Sequence, residues 1–261
     1  MKRASRLFLF GLLALCFTHK VSAAELSYPE ILIDDVKHVV TAPARWDDAE
    51  WHQAGWASLA VVSTALFIDR PLRDEMRRHT GDNAFLTQAE HFGAEYAAGV
   101  VGGFYLVGTL TDNENSRQVA QDSLSASLIA SGIITPTIKL VTGRSRPRDE
   151  TGVYHFKPFS NGNSSFPSGH TTEAFALASV VANHYEETWV TCTSYSIASL
   201  VGLARTYHRA HFASDVLAGA MIGTLVGKSV VAHNADLRSG KLVLLPELGP
   251  SLIGIRIAGR F

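Results

Sequence analysis

Apolar stretches of helical length, separated by short polar turns, fill most of this 261-residue sequence. Residues 55–68 are apolar up to an Asp-Arg-Pro turn, and residues 93–110 are apolar up to an Asp-Asn-Glu-Asn loop. Three further helical stretches, near 168–185, 189–207 and 212–233, follow a long polar loop. Segments of this length and spacing are typical of packed helices. The pattern predicts an all-α protein, a bundle of about six core helices.

The first 23 residues are typical of a secretory signal peptide. Lys2, Arg3 and Arg6 precede an apolar run at residues 7–17, and Val-Ser-Ala at 21–23 supplies small residues for cleavage. The run is shorter than a membrane span requires, and a retained anchor is the alternative. We therefore expect an exported chain, in the periplasm or the cell envelope.

The remainder divides by composition into a helical domain at 24–235 and a C-terminal extension at 236–261. The extension carries two apolar runs, Leu-Val-Leu-Leu and Ile-Gly-Ile-Arg-Ile, on either side of Gly249 and Pro250. Two short apolar runs around a Gly-Pro turn predict a small β-hairpin.

The overall charge argues against nucleic acid as a partner. Lys and Arg number 23 against 24 Asp and Glu, a formal net charge of −1, so the whole chain does not attract a polyanion. Without the signal peptide, Cys192 is the single cysteine, and no disulfide is expected. The mean hydropathy of +0.10 favours buried helices of a soluble or membrane-associated bundle over a set of membrane spans.

A basic cluster lies at residues 139–148, with the sequence Lys-Leu-Val-Thr-Gly-Arg-Ser-Arg-Pro-Arg. Lys139 falls near a predicted helix end, and Arg144, Arg146 and Arg148 lie on the loop that follows. Four cations without a carboxylate can bind an anion. Cations at a helix C-terminus also serve as simple complements of the helix dipole. The cluster alone does not decide between the two interpretations.

The sequence Ser-Ser-Phe-Pro-Ser-Gly-His at 164–170 opens an apolar helix. The first N–H groups of a helix have no acceptor within it, so those of Ser168, Gly169 and His170 are expected to point at one spot. The Ser168 hydroxyl adds a further donor. An anion site and an ordinary capped helix start both fit this pattern.

The third motif contains Arg205, His211 and Asp215. His211 and Asp215 are four residues apart, so on a helical turn they share a face and can hydrogen-bond. A carboxylate on one ring nitrogen orients an imidazole and leaves the other nitrogen free to attack. Arg205 adds a planar donor that suits phosphate. An exposed ion pair is the alternative, but the apolar neighbours favour burial.

Together the three motifs resemble the type 2 phosphatidic acid phosphatase superfamily, which includes bacterial acid phosphatases, lipid phosphate phosphatases and vanadium-dependent haloperoxidases. The matching residues occur in the family's order and spacing. One position departs from the family, because Ala204 stands where a serine usually precedes the third-motif arginine. The resemblance implies a helical bundle of the acid phosphatase and vanadium haloperoxidase type. The residues that carry it are Lys139, Arg146, Pro147, Pro167, Ser168, Gly169, His170, Arg205, His211 and Asp215.

The resemblance also implies a role for each residue. His211 would attack phosphorus and form a phosphohistidine, Asp215 would orient it, and His170 would protonate the leaving oxygen and then activate water. Arg144 is the one neighbouring cation that we expect to extend the grip on substrate. No cluster has metal-ligand spacing, so no catalytic metal is expected. The residues that would bind the phosphate oxygens are Lys139, Arg146, Ser168, Gly169 and Arg205.

We therefore expect a metal-independent phosphatase that hydrolyses phosphate monoesters or terminal pyrophosphates. The apolar helices favour a lipid-linked substrate, and a broad-specificity periplasmic acid phosphatase is the alternative. Vanadate is expected as an inhibitor, or as the cofactor if the chain is a haloperoxidase, which its short length disfavours. A non-catalytic protein that binds phosphate or lipid is the remaining alternative. Oligomeric state and membrane crossing stay open.

Overall fold

The computed structural model describes residues 27–79, 83–160, 162, 164–239, 243–249 and 252–258. The predicted signal peptide lies outside the described residues. Within them the chain forms ten α-helices, and the predicted all-α class is confirmed. The helices are α1 (Tyr28–Thr41), α2 (Asp48–Phe67), α3 (Asp69–Met76), α4 (Ala84–Glu90), α5 (Glu95–Leu110), α6 (Glu114–Ser127), α7 (Thr135–Thr142), α8 (Gly169–His184), α9 (Thr188–Tyr207) and α10 (Ala213–Arg238).

Polar residues in the predicted turns start several of these helices. The Asp47 carboxylate accepts the Glu50 N–H at 2.8 Å, and the Glu50 carboxylate accepts the Asp47 N–H at 2.9 Å. This reciprocal capping satisfies two N–H groups that have no partner inside α2. The side chain of Asn113 caps α6 in a similar way, accepting the Ser116 N–H at 2.9 Å. The starts of α2 and α6 are therefore fixed by local sequence.

α6 and α7 are joined without a loop. The connecting segment, Leu128–Ile134, is a π-helix, and Pro136 lies in the first turn of α7. A proline lacks the N–H that an α-helix interior needs, so a wider turn ahead of it accommodates the missing hydrogen bond. The joined helix ends at Gly143, whose φ of +55° suits a glycine.

Six helical elements share the core. A buried cluster is formed by side chains of the joined α6–α7 helix, α8 and α10, and residues of α1 and α5 pack against it. A second cluster joins α8 to α9 around Val201. The predicted helical bundle is confirmed. The largest members of the first cluster are Val119, Ile129, Val180, Val226 and Val230.

A row of glycines brings α10 against α8. A Cβ atom at Gly219 would lie 2.6 Å from the Ser168 carbonyl oxygen, and one at Gly223 would lie 2.3 Å from the Thr172 carbonyl oxygen. Gly227 meets α8 in the same way one turn further on. Only glycine permits so close an approach. The start of α8 is thereby held against the start of α10.

The outer helices expose much apolar surface. No residue of α2 is buried, and Trp56, Phe67 and Leu110 are 71%, 72% and 81% exposed. α2 is therefore not the buried helix that its apolar sequence predicts. Two helical segments, Glu114–Thr142 and Ala213–Arg238, are long and apolar enough to cross a membrane by length and composition.

Beyond the helical unit, two strands form an antiparallel pair. β1 (Val243–Gly249) and β2 (Leu252–Ala258) pair from Val243 opposite Ala258 to Gly249 opposite Leu252. They lie in the extension for which the sequence predicts a hairpin.

Candidate active site

The three sequence motifs meet at one end of the bundle. Lys139, near the end of α7, donates from Nζ to the carbonyl oxygen of Ser164. Arg146 donates from Nη2 to the hydroxyl of the same serine at 3.2 Å. The two cations, seven positions apart in sequence, therefore converge on one residue of the loop that precedes α8.

The N-terminus of α8 faces the Lys139 side chain. A Cβ atom at Gly169 would lie 3.9 Å from Lys139 Cε. The amides of Gly169 and His170 are the first two of α8 and have no acceptor within the helix. A partial positive charge at this helix end adds to that of Lys139. This part of the site suits an anion.

Ser168 is engaged with the protein. Its N–H donates to the Asp215 carbonyl oxygen at 2.9 Å, and its hydroxyl lies 2.8 Å from the Thr171 hydroxyl. The Ser168 amide is therefore not the free donor that the sequence predicts, because it ties α8 to α10. A phosphate contact from the Ser168 hydroxyl stays a prediction.

His211 is buried just before α10, with 3% of its surface exposed. Its Nδ1 lies 2.7 Å from the Ser165 carbonyl oxygen and 3.8 Å from Asp215 Oδ2. The carbonyl oxygen can only accept, so Nδ1 carries the proton and Nε2 is the basic nitrogen. The predicted direct hydrogen bond from His211 to the Asp215 carboxylate is replaced by one from Nδ1 to the Ser165 backbone carbonyl.

Asp215 supports His211 through Ser165. One carboxylate oxygen, Oδ2, accepts the Ser165 hydroxyl at 2.6 Å and the Phe212 N–H at 2.8 Å. The other, Oδ1, accepts Arg144 Nη1 at 2.6 Å. Asp215 thus fixes the residue whose carbonyl orients the imidazole, and its negative charge lies close to the ring.

Arg144 does not extend the grip on substrate as the sequence predicts. It is 2% exposed, and its guanidinium pairs with Asp215 and with Asp69, the latter at 2.8 Å. The same guanidinium lies 4.2 Å from the ring centroid of Phe212. The sequence predicts only a turn at Asp69, but the Asp69 carboxylate also accepts the Ser214 N–H at 2.9 Å. Arg144 is therefore a buried structural residue that fixes the position of the Asp215 carboxylate.

Arg205 enters the site from the end of α9. Nη1 donates to Glu90 Oε2 at 2.8 Å, and the same oxygen lies 3.0 Å from His208 Nδ1. Among the described residues, the buried Nε of Arg205 has no hydrogen-bond partner. A buried unpaired guanidinium donor is costly unless a ligand accepts from it. Glu90, 115 positions away in sequence, is a site residue that no local pattern indicates.

Both histidines are neutral at neutral pH in the free protein. Burial lowers the pKa of His211 to about 4, against the opposing effect of Asp215. Burial and then the charge of Arg205 lower the pKa of His170 to about 4, and Arg146 acts in the same direction. Two neutral imidazoles thus face a lysine, two arginines and a helix N-terminus. This arrangement can bind a tetrahedral oxyanion and place a nucleophile beside it.

The fold and the site define an all-α protein in which two buried or half-buried histidines lie beside a cluster of cationic side chains. Residues 123–238 match the family model described as the PAP2 superfamily. The matched residues are a little under half of the chain, and they contain all three motifs that carry the resemblance.

Two curated relatives are lipid A 1-phosphatases by name. The protein from Porphyromonas gingivalis is 40% identical over 82 residues, which are 30% of this chain and 18% of that protein. The protein from Rhizobium johnstonii is 32% identical over 103 residues, which are 37% of this chain and 40% of that protein. The chain spans less than half the length of these relatives. The crystal structure of Aquifex aeolicus LpxE superposes on 63% of this chain and 95% of its own, with a TM-score of 0.49 and 22% identity.

Proposed function

We propose that this protein is a phosphatase that hydrolyses phosphate monoesters or terminal pyrophosphates by way of a phosphohistidine on His211. One observation carries the proposal. Lys139, Arg146 and Arg205 converge near the start of α8, beside the neutral side chains of His170 and His211. Three cations and helix N–H groups neutralise and position a phosphoryl group, which is most of what phosphoryl transfer requires.

In the first step, the unprotonated Nε2 of His211 attacks phosphorus. The N–P bond forms while the bond from phosphorus to the leaving oxygen breaks. The Ser165 carbonyl accepts from Nδ1–H and stabilises the positive charge that develops on the ring, as does the nearby Asp215 carboxylate. Asp215 is in this proposal a positioning residue that acts through Ser165.

His170 is the proposed general acid. Its proton passes to the leaving oxygen, and the neutral ring then takes a proton from the water that attacks the phosphohistidine, which breaks the N–P bond and releases phosphate. The low pKa of His170 in the free protein reflects burial and the unneutralised Arg205. A bound phosphate dianion offsets the arginine charges, which raises the pKa of His170 toward the range that an acid needs.

A lipid-linked substrate is favoured over a free nucleotide. The relatives with sequence similarity are named as lipid A and lipid phosphate phosphatases. The apolar side chains exposed on α2 and α5 suit a protein that works at a membrane surface. We extend the proposal to association with a membrane of the cell envelope.

The test is phosphate release from phosphatidate, a polyprenyl pyrophosphate, nucleotides and nitrophenyl phosphate, with EDTA present throughout. His211→Gln is expected to lower kcat by at least about a thousandfold, whereas His52→Gln, on the exposed face of α2, should match the wild type. Wild-type rates in His211→Gln would overturn the mechanism. A covalent phosphoenzyme that is stable to alkali and labile to acid is the expected intermediate.

Two further readouts separate the alternatives. Vanadate shares the tetrahedral shape of phosphate, and the unpaired Nε of Arg205 together with Lys139 and Arg146 would bind it, so we expect inhibition. Bromination of a dye by peroxide in the presence of vanadate would instead support a haloperoxidase. A wider substrate range with nitrophenyl phosphate and nucleotides preferred over lipids would support a periplasmic acid phosphatase.

A further inference from the structure

A polar cavity of about 550 Å³ opens beside the candidate active site. This volume is larger than a single phosphate needs and falls in the range of small-molecule sites. Glu90 is a carboxylate in its wall. The cationic and imidazole side chains that line it are Arg77, His79, Arg148, Arg205, His208 and Arg209.

Arg205 links the cavity to the candidate phosphate site. Arg205 lines both, and its Nη1 is held by Glu90 at 2.8 Å. Arg148 lies close enough to Arg146 for its charge, after burial, to lower the pKa of that guanidinium. A substrate whose phosphate lies against Arg146 and Arg205 would therefore extend into this cavity.

The cavity carries an excess of positive charge. Arg77 and Arg209 share one carboxylate, Glu150, at 3.0 and 3.5 Å. Arg205 is paired with Glu90. Among the described residues, the Arg148 side chain has neither an ion pair nor a hydrogen bond. Four guanidinium groups thus face two carboxylates, and the unbalanced charge favours an anionic ligand.

The backbone holds these arginines in place. Glu150 and Arg209 both adopt the left-handed conformation, with φ of +55° and +51°, which is strained for residues other than glycine. The Arg148 N–H donates to the Arg209 carbonyl oxygen at 3.1 Å and ties the two loops together. Strain that the surrounding structure maintains is frequent at binding sites. The positions of Arg148 and Arg209 at the rim of the cavity are therefore fixed by the backbone.

We propose that this cavity binds a second anionic group of the substrate, such as a second phosphate on the same headgroup as the phosphate that is hydrolysed. The inference rests on the proposed phosphatase function and deepens it. Arg77, Arg148 and Arg209 make the contacts, and they select substrates that carry two anionic groups over those that carry one. Guanidinium groups suit a phosphate because they can donate two hydrogen bonds to it.

A matched pair of soluble substrates tests this assignment. Glucose 1-phosphate has one anionic group, and glucose 1,6-bisphosphate adds a second on the same sugar. The wild type is expected to have a KM about tenfold lower for the bisphosphate, an effect of ordinary size for one charge-assisted contact. Arg148→Gln should remove this advantage and leave the KM for glucose 1-phosphate within about twofold.

Arg78→Gln is the matched control. Arg78 neighbours Arg77 in sequence, is 72% exposed and pairs with Glu75, but it does not line the cavity. It should keep the wild-type ratio of the two KM values. Equal KM values for both substrates in the wild type, or an equal rise for both in Arg148→Gln, would overturn the second-anion site.

Binding measurements separate failure of this site from failure of the proposed function. Dissociation constants of both sugars for His211→Gln protein, measured by calorimetry, need no turnover. If the wild type releases no phosphate but the bisphosphate still binds more tightly than the monophosphate, the phosphatase function is contradicted and the second-anion site is kept. If the cavity captures only free anions, sulfate should change the KM for glucose 1-phosphate in the wild type while the bisphosphate keeps the same KM as the monophosphate. These two results together would overturn binding of a substrate group.

Discussion

At the scale of single residues, Arg144 shows how one buried cation holds two acidic partners. Substitution of Arg144 by Met would leave the buried carboxylates of Asp69 and Asp215 without their cation. We expect the free energy of unfolding to fall by roughly 3–5 kcal/mol, measured by thermal or chemical denaturation. Arg148→Met, on the exposed side of the same loop, should change it by less than about 0.5 kcal/mol. Equal stability of the two variants would contradict the structural role of Arg144.

The pKa of His211 leads to a prediction for the pH dependence of activity. His211 attacks only when neutral, and burial holds its pKa at about 4 instead of the ordinary 6.5. The acid limb of kcat/KM, which reports the pKa of the nucleophile in the free protein, should therefore lie near pH 4, while the general acid His170 sets the alkaline limb. The measurement is kcat/KM against pH with a soluble monoester. An acid limb near pH 6.5 would show that the imidazole is not desolvated as the structure has it.

At the scale of elements, the glycine row on α10 sets how closely α8 can approach. A methyl group at Gly223 would lie 2.3 Å from the Thr172 carbonyl oxygen, so Gly223→Ala must push the helices apart. The expected loss is about 1–3 kcal/mol of unfolding free energy, with a loss of activity, because α8 and α10 carry His170 and Asp215. Gly103→Ala in α5 meets nothing within 4 Å and should be neutral or stabilising by up to about 1 kcal/mol.

The packing of α1 against α10 depends on a buried acid. Asp35 is fully buried, accepts from Asn234 Nδ2 at 3.2 Å, and has one oxygen without a partner among the described residues. Burial raises the pKa of Asp35 from 3.8 to about 6. Protonated Asp35 therefore contributes stability at low pH, and this contribution is lost as the pH rises through about 6.

Asp35→Asn keeps the shape of the side chain and cannot ionise. It should unfold with the same free energy as the wild type near pH 4.5 and be more stable by roughly 1–2 kcal/mol at pH 8. Denaturation at the two pH values makes the comparison. If Asp35→Asn lowers the unfolding free energy equally at the two pH values, the carboxylate is needed for its hydrogen bonds and its charge does not destabilise the fold.

Spacing and turn chemistry account for what could be predicted from the sequence. The polar loop that contains Asn113 indicates the start of α6 because capping is local, and the three motifs indicate the site because their spacing is regular. Contacts between distant segments leave no such pattern, so Asp69 and Glu90 could not be found. The hydrogen bond from His211 to the Ser165 carbonyl could not be predicted either. Every residue has a carbonyl oxygen, and only the fold brings this one close to the imidazole.

At the scale of the whole molecule, the apolar exterior is the main difference from a soluble bundle. Apolar sequence predicts burial, but it does not say whether protein or lipid provides it, and α2 and α5 leave Trp56, Phe67 and Leu110 exposed. Exposed apolar area of this extent is unfavourable in water. Membranes from cells that produce the protein should retain it after extraction with alkaline carbonate and release it into mild detergent. Release by carbonate would indicate binding at the membrane surface, and recovery in the soluble fraction before any extraction would contradict membrane association.

Two neighbouring serines have a consequence for how such a site can diversify. Ser164 contacts both Lys139 and Arg146, and Ser165 contacts both His211 and Asp215. One peptide unit, about 3.8 Å between Cα atoms, therefore sets the separation of the phosphate-holding cations from the attacking imidazole. Changes elsewhere in the long loop can alter which headgroups are accepted while the reaction distance stays constant. Insertion of a single residue between Ser164 and Ser165 would therefore move the phosphate-binding cations away from the attacking imidazole of His211.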